Sequence, residues 1–337
     1  MEKHKESVFM RRIKKITIGV VILQLLLTME VSAEQKLSEG VISYKITKDK
    51  RSIYGTLNCR GSTNVGRLLK KWVPNFIKKY PDVQSNLLFK GSSDGFRSLI
   101  SEEANIGASS RKIKETEIEA FKKVKGYAPT EIKVSFDALA IYVNRLNKLE
   151  HITLDKLDAI FSEQHKRGYI PNINSWKELT GIDKKINIYL FDKNSGARSY
   201  FKHKVMLGAN YNNTTVVSDK YINTSEVINQ VAKDKYGICF ASIGIKNFKV
   251  KALSLSKREH YPTYSPSLKD TKNRTYPLTR FFYIYLDVPP DKPIPKLFYE
   301  FCKFILSYEG QSIVMRAGGL PLSPKQIGIE LSKMRRD

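Results

Sequence analysis

An α/β fold big enough for two domains, or for one large one, is predicted by three observations. Strand-like and helix-like segments alternate along almost the whole chain. Of its 337 residues, 304 remain once an N-terminal leader of 33 is set aside, and 41% of the chain is hydrophobic, enough for a substantial core. Three strand-like segments also run through a short polar loop straight into a helix: Gly61-Ser62-Thr63-Asn64, Gly91-Ser92-Ser93 and Asn194-Ser195-Gly196-Ala197.

The elements follow in chain order. Arg11, Arg12, Lys14 and Lys15 precede an apolar run at 16–27 that is too short for a stable membrane anchor. Val31-Ser32-Ala33 then offers small residues at the positions a signal peptidase reads. Residues 1–33 are thus expected to be a cleavable signal peptide, cut after Ala33, with the mature chain in a periplasm. Val65, Leu68, Leu69, Trp72, Val73, Phe76, Ile77 and Tyr80 recur at threes and fours, which makes a helix with one apolar face, stopped by Pro81-Asp82. A strand at 86–89 leads through Gly91-Ser92-Ser93-Asp94-Gly95 to a helix opening at Phe96. A brief strand ends at Ser109-Ser110-Arg111, and a helix follows around Ile118 and Phe121.

The run 132–143 is β-branched and aromatic, the pattern of a buried strand, and it encloses one carboxylate, Asp137. That group is expected to be tied to backbone amides or a nearby arginine. Thr153 opens a helix with Leu154, Leu157, Ile160 and Phe161 on one face, and 162–174 reads as a polar loop. Further strands are expected at 186–190, 236–241 and 281–286, with a helix after Ser195. A proline-rich connection at 289–295 leads into one long helix over 296–315. Trp72 and Trp176 are expected in the core.

Charge narrows the partners. Fifty-eight Lys and Arg against 33 Asp and Glu give +25, or +22 without the leader's six basic and three acidic residues. Such a field favours a phosphate-like solute, an acidic envelope surface or nucleic acid, and the extracytoplasmic compartment argues against nucleic acid. Dispersed as it is, the charge also fits a merely solvated surface. Cys59, Cys239 and Cys302 sit in apolar surroundings and read as small buried residues. Neither the cysteines nor the scattered histidines have metal-ligand spacing, so no metal or cofactor is predicted. His151, His165 and His203 lie in polar stretches without a partner serine, and no catalytic residue is assigned.

The polar loops carry the chemistry. A helix's first turn leaves backbone N–H groups unpaired and partly positive, serine and threonine add donors, and glycine allows close approach. One such loop is an ordinary N-cap. The three loops, with Ser109-Ser110-Arg111 as a fourth turn, make a site for a tetrahedral anion.

Beyond those loops, the sequence carries FKGSSDGF, ANIGASSRKIKETEIEAF, FDALAIYVN, ITLDKLDAIFS, NSGARSYF, KYGICFASIGI, YPLTRFFYIYL and GGLPLS in that order. From about Tyr54 to Leu322 it thereby resembles the periplasmic phosphate-binding proteins of ABC transporters, the PstS type. The resemblance implies a two-lobed periplasmic binding protein of type II, each lobe a sheet flanked by helices. Lobe 1 would comprise 34–141 and 242–337 and lobe 2 142–241, with crossings at 140–144 and 238–243. Anion contacts would come from Thr63, Asn64, Ser92, Ser110, Ser195, Gly196 and Ala197, flanked by Arg111 and Arg198. The implied function is non-enzymatic: a monomer that captures inorganic phosphate or a related oxyanion for a permease in the inner membrane.

Four positions depart from the family pattern. Asn64 stands for a threonine, Ser110 for an aspartate, Phe191 for an arginine and Ala197 for a threonine. A cation and a hydroxyl are therefore missing, and Lys193, Arg198, Arg111 and Arg60 are candidate replacements. The alternative is a PstS-like protein with a degenerate pocket, acting through its basic surface as an envelope or adhesion protein.

Overall fold

The computed structural model describes residues 40–245, 247–289 and 291–334; the expected signal peptide, 1–33, and its cut after Ala33 lie outside them. Among the described residues no helix is long and apolar enough to cross a membrane.

The first lobe opens as an alternation: β1 (Gly55–Gly61), α1 (Thr63–Ile77), β2 (Val83–Leu88), α2 (Ser92–Ile100), β3 (Ile106–Ser109) and α3 (Glu115–Lys125). The long β4 (Thr130–Asn144) leaves it. The second lobe holds β5 (His151–Thr153), α4 (Leu154–Phe161), α5 (Lys177–Thr180), β6 (Asn187–Phe191), α6 (Gly196–Lys204), β7 (Val216–Tyr221), α7 (Thr224–Lys233) and β8 (Gly237–Ser242). β9 (Val250–Ala252), β10 (Ser254–Ser256) and α8 (Leu268–Lys272) follow. β11 (Thr279–Leu286) then returns the chain to α9 (Lys296–Ile305), α10 (Tyr308–Arg316) and α11 (Pro324–Met334).

One curled sheet runs through both lobes in the order β2-β1-β3-β11-β4-β8-β6-β7, with β9 also on β4. β4 joins the halves by exchanging partners. Thr130 to Ala138 pair antiparallel with β11, and Leu139 to Val143 pair antiparallel with β8. Each half has its own core. Trp72, Phe76, Phe301 and Phe304 anchor the first, Phe161, Trp176, Phe201 and Phe240 the second, and all eight are 0–1% exposed. Both indoles find acceptors, Trp72 on the Gly310 carbonyl at 2.8 Å and Trp176 on that of Tyr236 at 3.0 Å. The three cysteines are free and buried. Burial pushes the Cys59 and Cys302 thiols up to about 12.

Three expectations are displaced. The helix expected to open at Phe96 starts at Ser92, with Gly91 as its N-cap, so both serines belong to its first turn. The long helix expected over 296–315 is two: the Ser307 hydroxyl accepts the Gly310 amide at 3.3 Å and starts α10 afresh. The boundary expected at 242 assigns 245–278 to lobe 1, yet Val250, Leu253, Leu255, Tyr276 and Leu278 pack in the second core. The reason lies in β4, because β9 occupies the strand edge that β11 leaves beyond Ala138, pairing with Tyr142 to Asn144. By its packing, the chain touches the first lobe at Ile243 and Gly244, then stays with the second core until β11 returns it.

Candidate anion-binding site

The polar loops converge where the two lobes meet. Ser62 caps α1 through its side chain, and Ser195 caps α6 by accepting the amides of Ala197 at 3.2 Å and Arg198 at 3.5 Å. Each cap leaves neighbouring first-turn amides without intrahelical partners. Ser92 Oγ accepts the Ser110 amide at 3.1 Å and lies 3.4 Å from Ser110 Oγ, which ties the α2 start to the turn after β3. Gly196 then closes on that pair from the other lobe. A Cβ at this position would lie 2.2 Å from Ser92 Oγ and 2.5 Å from Ser110 Oγ, so only glycine fits without movement. Gly91, at φ +143°, likewise lies against Asn194, whose carbonyl oxygen would be 2.7 Å from an added Cβ.

Ser62, Thr63, Asn64, Lys90, Gly91, Ser110, Asp192, Ser195, Gly196 and Ile222 enclose a cavity of ≈ 10 Å³. That is about the room one ordered water needs. A tetrahedral oxyanion, four oxygens about a central atom, requires the loops to separate slightly.

Other groups near the site have found partners within the protein. Thr63 Oγ1 donates to the Ile222 carbonyl at 2.9 Å, a bond across the lobes. Both ends of the Asn64 amide are engaged: Oδ1 accepts from Thr224 Oγ1 at 2.9 Å, and Nδ2 donates to Ser242 Oγ at 3.0 Å. Ser242 in turn donates to Asp137 Oδ2 at 2.8 Å and accepts from Arg280 Nη2 at 3.0 Å, while Arg280 Nε donates to the same carboxylate oxygen at 2.8 Å. Asp137 is thus the arginine-tied carboxylate expected from its strand. The Arg280 and Asp137 side chains are 2% and 4% exposed, so this pair sits in a nearly dry hinge. Burial pushes the Asp137 carboxyl up while the guanidinium pulls against it.

Two of the four cations named from sequence, Arg111 and Arg198, are held elsewhere. Arg111 forms a fork with Glu117, at 2.7 Å from Nη1 and 2.5 Å from Nη2, and stacks over Phe96. Arg198 gives Nη1 to the Phe191 carbonyl at 2.8 Å and to Asp219 at 3.1 Å, lying over Tyr211. Phe191 is 1% exposed with its ring 6.0 Å from that of Phe240, and Ala197 is fully buried in the same core. Arg60 and Lys193 do not line the cavity; Lys90 does. It precedes Gly91 in the very loop the sequence reading chose, and a search for the missing cation inside the loops, not only beside Phe191, would have reached it. Asp192, Ile222 and Thr224 carry no comparable signal.

A domain model of the PBP superfamily matches residues 47–309. The chain is 33% identical over 277 residues to the phosphate-binding protein PstS of Pseudomonas aeruginosa, covering 81% of this chain and 85% of that one. It is 27% identical over 285 residues to PstS of Staphylococcus saprophyticus, covering 83% and 84%. Its fold superimposes on a putative phosphate ABC transporter substrate-binding protein with bound phosphate from Clostridium perfringens, with TM-score 0.66, 23% identity and coverage of 80% of this chain and 100% of that one. An ABC-type phosphate transport receptor from Vibrio cholerae is similar in fold, with TM-score 0.63, 23% identity and coverage of 79% and 100%.

Proposed function

Because the chain belongs to the PBP superfamily and, within it, to the PstS phosphate-binding proteins, we propose that it captures inorganic phosphate between its lobes in the periplasm. It then hands the ion to the permease of an ABC importer, unchanged. The observation that carries the reading is the meeting of Gly196 with Ser92 and Ser110, which points helix starts from both lobes at one small cavity.

In this reading the first-turn amides after Ser62, Gly91 and Ser195 hold the phosphate oxygens, with hydroxyls of Thr63, Ser92, Ser110 and Ser195 turning to donate. Helix ends carry only partial charge, and the arginine the family pattern implies is absent at Phe191. Lys90 supplies the compensating charge from the rim. In this reading the anion leaves as it came.

Calorimetric titration tests this directly. Orthophosphate is expected to bind one to one, and Ser195→Ala to weaken it about tenfold, the worth of one charge-assisted hydrogen bond. No heat with phosphate or any other tetrahedral oxyanion would sink the reading.

A further inference from the structure

At the far end of α6 the hinge strands and the second lobe enclose a groove of ≈ 950 Å³, at the upper end of the range for small-ligand sites. Arg167, Lys204, Lys257, Arg258, Arg274 and Arg280 line it, together with His203 and no carboxylate among the described lining residues. They come from four separate stretches of chain, so it is the fold, not a local basic run, that gathers them. None of these residues lines the cavity at Ser195, which is about 12 Å away at 1.5 Å per helical residue.

Their charges are only partly met. Arg167 gives Nε to the Val205 carbonyl at 2.5 Å and Nη2 to that of Lys204 at 2.6 Å, which caps the end of α6, while Asp158 and Asp155 offset part of its charge. Arg274 is held over the rings of Phe136 and Phe281, with centroids at 5.9 and 5.2 Å, a contact that orients the guanidinium without neutralising it. Arg280 is paired with Asp137, yet its Nη1 is buried without a hydrogen-bond partner. His203 is held below its ordinary pKa by partial burial and by the charges of Lys114, Lys202 and Arg111, so the field at this end is already positive.

We propose that this groove is a second anion site and that it takes a condensed phosphate chain rather than a single orthophosphate ion. One tetrahedral ion reaches only two or so neighbouring cations. Cations spread along a groove of this size are matched by a ligand that repeats its charge at intervals, as linked phosphates do. Arg274, fixed on its two rings, presents a planar fork suited to one phosphate unit, and the exposed Lys257 and Arg258 serve the next.

The probe is inorganic tripolyphosphate, titrated into protein already saturated with orthophosphate. One-to-one binding is expected, weakened about tenfold or more by the triple change Lys257→Glu, Arg258→Glu and Arg274→Glu, while orthophosphate affinity stays as it was. If loss of the Arg274 stacking impairs folding, as circular dichroism reports, the double change at Lys257 and Arg258 decides instead. Ser195→Ala should leave tripolyphosphate binding intact even if orthophosphate proves not to bind, which separates this site from the cleft. Absence of binding, equal affinity in the charge-reversed protein, or displacement of tripolyphosphate by orthophosphate would each overturn the proposal.

Discussion

In the proposed reading the charge missing at Phe191 is supplied from another position, Lys90. The arginine implied at 191 would need a path from the second core to the cavity, but the position is 1% exposed and packed near Phe240. Phe191→Arg would bury an unpaired charge instead of restoring a contact. Lys90 reaches the cavity rim from solvent, so its attraction for an anion is screened by salt. Lys90→Met is therefore expected to weaken phosphate binding several-fold, about tenfold at most, at low ionic strength. The difference should shrink in 0.5 M salt, about where screening becomes strong. Calorimetry at the two salt concentrations measures it, and equal affinities for variant and wild type at low salt would remove Lys90 from the site. Much at this scale was legible. The Ser and Gly loop residues stood out by type and position, whereas Arg111, read as a flank of the anion, is held by Glu117 six residues on. Asn64 was not legible in its role, since its partners Thr224 and Ser242 are distant in sequence and their meeting depends on how the lobes close.

Among the elements, α6 carries the sharpest constraint, because its first residue touches the opposite lobe. A methyl group on Gly196 cannot share space with two serine oxygens 2.2 and 2.5 Å away, so one lobe must yield. The helix itself tolerates alanine better than glycine. Gly196→Ala is accordingly expected to weaken phosphate binding about tenfold or more, by about 1.4 kcal/mol, while thermal unfolding changes little or rises slightly. An unchanged affinity would mean that the lobes do not approach this closely when they hold the ion. The strand and helix order was readable from apolar periodicity, and β4 matched its expected span closely because every second constraint, β-branching and burial, agreed there. The break between α9 and α10 escaped because the apolar pattern runs on through Leu306 and only Ser307 marks a new start. What imposes the break is tertiary: the Trp72 indole bonds to the Gly310 carbonyl, and the Gln311 amide bonds to the carbonyls of Val134 and Ile305.

For the whole molecule, the stretch that follows β8 was harder to read than the first crossing. Residues 250–278 look like any other α/β stretch, and their allegiance depends on which open strand edge they fill, a choice settled by β4's exchange of partners between Ala138 and Leu139. Across the cleft the lobes are joined by specific bonds as well as by contact, from Thr63 Oγ1 to the Ile222 carbonyl and from Thr224 Oγ1 to Asn64 Oδ1. Thr224 is 1% exposed, so Thr224→Val keeps its shape and leaves Asn64 Oδ1 unpaired in the closed form. Stopped-flow measurement is expected to show phosphate leaving about fivefold faster from this variant, with its association rate nearly unchanged. An unaltered release rate would show that these bonds open before the limiting step. The same pair of bonds bears on timing. An ion gripped by open loops leaves once its own hydrogen bonds break, whereas cargo behind a bolted cleft must also wait for the bolts to slip. On the proposed reading, a carrier built this way sets its own dwell time, long enough to keep one ion for a journey to the membrane.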